Sequence, residues 1–79
     1  MNKVFDRKIN NVNYTFYRYP LFREVIYNVS ILQQGKATVF VMRNKDNRWY
    51  IFKEHELPDF VYEAEKELSG IIEVNEGKR

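Results

Sequence analysis

The chain has no cysteine, one histidine, two prolines and three glycines. The missing cysteine excludes disulfides, thiolate metal sites and cysteine nucleophiles, and it fits a reducing compartment. The single histidine, His55, lies between Glu54 and Glu56. Adjacent residues rarely converge on one ion, and no second histidine is there to complete a site, so an ordinary exposed loop histidine is the simpler reading. Glycines at 35, 70 and 77 are too scattered for a phosphate-cradling loop. No serine has a plausible base beside it. No apolar run approaches the ~18 residues needed to cross a bilayer. The start, Met-Asn-Lys-Val-Phe-Asp-Arg-Lys, is too charged for a signal peptide. These absences lead us to expect no enzyme activity, no metal, no cofactor and no membrane partner, in a soluble cytoplasmic protein.

What the sequence holds instead is short runs of β-branched and aromatic residues. Lys36 to Glu54 contains two of them flanking Asn-Lys-Asp-Asn, the pattern of a β-hairpin. With the loop centred on Lys45-Asp46, Arg43 is expected opposite Arg48, Met42 opposite Trp49 and Val41 opposite Tyr50. Alternation then makes two faces. Thr38, Phe40, Met42, Trp49, Ile51 and Lys53 share one; Val39, Val41, Arg43, Arg48, Tyr50 and Phe52 share the other. Both are largely apolar, so neither reads as an ordinary wet face.

Upstream, Val4 to Ile9 alternates and Asn10-Asn11 suits a tight reversal, because asparagine tolerates left-handed backbone. A two-residue turn sets Phe5 opposite Phe16 and Arg7 opposite Tyr14, with Thr15, Tyr17 and Tyr19 on the other side. Pro20 cannot donate to a ladder, so the second strand is expected to end near Tyr19 and turn through Pro20-Leu21. From Phe22 to Gln33, Val25, Tyr27, Val29 and Ile31 form a core face. A two-residue turn at Gln34-Gly35 places them with Phe40, Met42, Trp49 and Ile51; a three-residue turn with a bulged Gly35 places them with Val39, Val41, Tyr50 and Phe52. The first is favoured because it buries Trp49.

After Glu56 the period changes to helical. Pro58 suits the first helical position and Asp59 the positive end of the dipole. Leu57, Phe60, Val61, Ala64, Leu68 and Ile71 make one stripe, with Glu63, Glu65, Lys66 and Glu67 towards water. Five or six such side chains, at roughly 1.5–3 kcal/mol for each large one, amount to the stability of a small domain, so the helix must dock on the sheet. Gly70 is a candidate cap, or the helix continues to Ile72. The expectation is one α+β domain over residues 1–72, a five-stranded antiparallel meander with one C-terminal helix on one face, and a flexible tail over 73–79.

Charge is segregated along the chain. Residues 1–53 carry ten Lys or Arg against three acids, and residues 54–76 carry eight acids against Lys66 alone. A small two-layer protein can simply solvate its layers with opposite charge. Glu63 and Glu67 are one turn apart on the solvent side, where solvation outweighs catalysis or cation binding. One helix cannot cover both sides of a sheet, so Tyr17, Tyr19, Ile26, Asn28, Leu32, Val39, Val41, Tyr50 and Phe52, with Arg43 and Arg48 at one end, are left as an outer face. A surface so apolar marks a contact site. The foremost expectation is an interaction module that forms a homodimer or binds a protein partner through that face. The alternative is single-stranded DNA or RNA, with tyrosines stacking on bases and Lys8, Arg18, Arg43, Arg48 and Lys53 meeting phosphates. The order of strands then one helix is similar to that of PUR-type single-strand binders, a likeness of element order that implies nucleic-acid binding by analogy alone.

Overall fold

The computed structural model describes residues 4–52 and 56–77. Five strands, β1 (Val4–Ile9), β2 (Val12–Leu21), β3 (Glu24–Gln33), β4 (Lys36–Lys45) and β5 (Arg48–Phe52), precede two helices, α1 (Asp59–Glu63) and α2 (Glu65–Asn75). The strands pair antiparallel in chain order, giving the expected α+β meander. Lys53 and His55 lie outside the described residues.

Every reversal is two residues long. Asn10-Asn11, Gln34-Gly35 and Asp46-Asn47 all have positive φ at both positions, the mirror-image turn whose twist matches the flanking strands. Gln33 therefore faces Lys36, and the two-residue Gln34-Gly35 alternative holds. Two expected registers shift. The last hairpin turns at Asp46-Asn47, so Arg43 faces Tyr50 and Lys45 faces Arg48, not Arg43 opposite Arg48. Asp and Asn tolerate left-handed backbone better than Lys45 would. Because the partner of each residue moves by two, no side chain changes face. The second strand runs on to Leu21 and turns at Phe22-Arg23. Leu21 and Glu24 form the closing pair, so Pro20 directs its missing N–H away from β3, where no described β1 residue lies opposite it.

One face of the sheet is the core. Tyr14, Phe16, Tyr27, Val29, Ile31, Phe40, Met42, Trp49 and Ile51 are buried there beneath Leu57, Val61, Ala64, Leu68 and Ile72 of the helical segment. Phe5 stacks on Phe16 at 4.8 Å, and Tyr27 meets Trp49 edge-on at 5.2 Å. Such offset and edge contacts add to what area burial alone supplies.

The helical region differs from expectation in three ways. Pro58 is the N-cap, with extended ψ of 148°, and its carbonyl accepts the Val61 N–H. A break at Ala64 divides the helix in two, although the Leu68 N–H still reaches the Ala64 carbonyl. The helix passes Gly70, as the second alternative had it, and runs beyond Ile72 to end at Asn75, after which Gly77 adopts φ of 81°. The expected tail from residue 73 is thus corrected: residues 73–75 are helical, and Glu76 is anchored to the sheet by Arg18.

A further correction concerns Glu65, which does not turn to water. In a two-residue hairpin closed by Lys45 and Arg48, Trp49 and Ile51 aim their N–H groups outward from the sheet. The Trp49 N–H donates to Ser69 Oγ at 3.2 Å, and the Ile51 N–H donates to Glu65 Oε2 at 2.8 Å. Two residues of strand rise about 6.6 Å and four of helix about 6 Å, so one turn of α2 reaches both donors. The β5 edge is thereby closed to further strands. Ser69→Ala leaves the Trp49 N–H buried without its acceptor and is expected to cost about 1–3 kcal/mol. Urea unfolding followed by Trp49 emission checks this, and an unchanged midpoint would contradict the capping role.

Candidate functional site

Alternation sends Tyr17, Tyr19, Ile26, Val39, Val41, Arg43, Arg48, Tyr50 and Phe52 to the face opposite the core. The register brings several of them together. Val4, Tyr17, Asn28, Val41 and Phe52 form one row across all five strands. Tyr19 pairs with Ile26, and Arg43 with Tyr50. On the other side of the central row run Asp6, Thr15, Ser30 and Val39. Arg48 stands apart at the β4–β5 turn. Neighbouring side chains leave Ile26, Val41, Tyr50 and Phe52 half-buried, while Tyr17, Tyr19 and Val39 are exposed. Leu32 remains 70 % exposed. Val4, Leu21 and the turn residue Phe22, not among the expected face residues, join this exposed apolar set. Their strand parity and turn position were the available signal.

The cations assigned to phosphate contact are arranged differently from expectation. Arg43 binds Glu24 through the Nε–Nη2 edge of its guanidinium, with Nη2 at 2.8 Å and Nε at 3.0 Å from Oε2, and lies 5.1 Å from the Phe52 ring centre. The hydrogen bonds to Glu24 raise its pKa further. This pair could have been read from the sequence, since both residues fall on the outer face. Arg18 is a correction. It lies opposite Tyr27 on the core side, and its Nε donates to Glu76 Oε2 at 2.7 Å. Strand parity alone puts it there. Lys8 is exposed at the β1 edge.

Arg18 belongs to a cluster that fastens the end of α2. The Tyr27 hydroxyl donates to Glu76 Oε2 and accepts from Asn75 Nδ2 at 2.8 Å. The last turn of α2 has no basic residue of its own, so Arg18 supplies the positive charge that the helix C-terminus favours. Burial, reinforced by the bond to Glu76, pushes the Tyr27 phenol up to about 12.

Among the described residues, no three His, Cys, Asp or Glu side chains come together in a metal-binding group. Glu63 and Glu67 are exposed, and Glu67 acts on Tyr14, whose phenol is raised first by burial and then by that charge. No described helix is long and apolar enough to cross a membrane. No protein-family model, curated protein or solved structure matches the chain.

The Tyr27 shift carries a pH dependence. Below its ordinary value of 10.0 the phenol is protonated whether the chain is folded or unfolded, and its stabilising effect is complete. Above that value the unfolded chain loses the proton while the folded chain keeps it to about 12, so stability falls across this window. Tyr14, raised in the same direction, adds to the slope. Tyr27→Phe is expected to flatten the fall, as measured by urea midpoints between pH 9 and pH 12; an unaltered slope would contradict the assignment.

Proposed function

We propose that this protein is a non-enzymatic, cytoplasmic interaction module whose outer sheet face pairs with the same face of a second copy. The carrying observation is the central row of Val4, Tyr17, Asn28, Val41 and Phe52, apolar and aromatic apart from one amide, on the face that no described element covers. A two-fold contact sets a surface against itself, so its polar groups must be self-complementary. Thr15, Asn28 and Ser30 each carry both donor and acceptor and can bond to their own copies. Arg43, which would meet a like charge, already has its counter-charge in Glu24. Strands of this length and number make a face of roughly 600 Å² in plan, or about 1,200 Å² from two copies, the lower end of stable interfaces. The cytoplasmic setting rests on the absence of cysteine.

Val41→Glu puts an unpaired charge near the middle of this row. It is expected to halve the mass found by sedimentation equilibrium at high micromolar concentration, with the far-ultraviolet spectrum unchanged. A monomeric parent chain, or a variant of unchanged mass, would overturn the proposal.

Tyr17, Tyr19, Tyr50 and Phe52 favour a second reading, single-stranded nucleic acid, because every base can stack on a ring. The aliphatic side chains among them offer no stacking surface, Arg43 is paired, and Arg18 faces the core. Fluorescence-anisotropy titration of mixed-sequence single-stranded DNA and RNA is expected to show no saturable binding at low salt. Saturable binding that weakens steeply with salt would replace the protein-interface reading with this one.

A further inference from the structure

The two edges of the sheet are unlike. Side chains of α2 occupy the outward N–H groups of β5, whereas β1 carries nothing comparable. Ile9 and Val12 close the first hairpin, so Val4, Asp6 and Lys8 direct their N–H and C=O groups away from β2. None of those three N–H groups has a partner among the described residues. The Asp6 carbonyl accepts only the neighbouring Arg7 guanidinium, at 2.8 Å in an exposed position. Beside this edge, on the helix side, an open groove of about 420 Å³ lies between Ile9 and the Ile71 and Val74 side chains of α2. Val74, on the groove wall, is 70 % exposed.

We propose that β1 pairs antiparallel with β1 of a second copy, about a two-fold axis at Arg7, to join two five-stranded sheets into one of ten strands. The outward-facing backbone groups allow only registers in which even-numbered residues meet even-numbered residues. Centring the axis on Asp6 or on Lys8 sets each of these charges against itself. Centring it on Arg7 sets Asp6 against Lys8 of the other copy, twice over, on the outer side. The same register sets Phe5 against Ile9, again twice, on the core side, where Phe5 is half-buried in the isolated chain. Opposite charges and apolar pairs directly across strands are both stabilising. Arg7 meets its own copy at the axis, and Glu67 of each chain lines the same groove, which places two carboxylates beside the two guanidinium groups. Both α2 helices then lie on one side of the joined sheet, with the exposed Val74 of each next to the seam.

This contact uses a different surface from the outer-face pairing and stands without it. If both form, edge-joined sheets stack face to face into a four-chain assembly. The test is a charge exchange in the full chain carrying Val41→Glu, so that the outer face is disabled and only the edge is read. That protein is expected to sediment at twice the 9.7 kDa chain mass. Adding Asp6→Lys alone, or Lys8→Asp alone, sets like charges across the seam and should halve that mass. Adding both restores opposite charges and should return the dimer. Trp49 emission, far from the edge in sequence and buried, verifies that each variant is folded. A monomeric Val41→Glu protein, or a dimer indifferent to the single exchanges, or a double exchange that stays monomeric would overturn edge pairing. Failure of the outer-face reading is separable: the parent chain and Val41→Glu would then share one mass while the charge exchanges still act.

Discussion

Two-residue reversals at all four turns of the meander are the constraint on which the rest depends. A turn of this length fixes which residue faces which, and with a side-chain period of two it also fixes which side of the sheet each residue serves. The left-handed backbone of Asn10-Asn11, Gln34-Gly35 and Asp46-Asn47 is therefore the local cause of the global division into two faces. Tyr14, Phe16, Tyr27, Phe40, Met42 and Trp49 gather on one side because the registers those turns set align their parities across neighbouring strands, and the helical stripe has a single apolar surface on which to dock.

The helix does more than cover that surface. Glu65 and Ser69 close the β5 edge, and at the far end Glu76 is held by Arg18 and Tyr27. One element thus satisfies backbone donors at one edge of the sheet and anchors its own C-terminus above the sheet. The charge segregation along the chain acquires a physical role here: acidic groups of the helical region accept from the basic, strand-rich half at specific atoms. What the helix does not reach, namely the outer face and the β1 edge, is where unpaired backbone groups and uncovered apolar side chains remain.

The contrast between those surfaces organises the functional reading. On the outer face, the central polar groups are amides and hydroxyls that complement their own kind, and its arginine is already neutralised by Glu24. On the β1 edge, Asp6 and Lys8 are spaced so that an inverted copy meets each with its opposite. Both surfaces support the proposal of contact with a second copy of the chain.

Strand positions, turn sites and the division into core and outer faces were determined by local sequence, because turn chemistry and alternation act within a few residues. Even the misplacement of the last turn, from Asp46-Asn47 to Lys45-Asp46, left the faces intact, since the pairing moved by two. The break at Ala64 had no local signal, and Pro20 was misread because whether a proline fits a strand depends on what lies beside it. Parity already turns Arg18 to the core side, but only the tertiary structure decided that it anchors the helix end through Glu76, that Glu65 caps an edge strand, and that the helix runs on to Asn75. Each of these depends on where a helix end lands against strands tens of residues away, a distance over which neither propensity nor periodicity carries information.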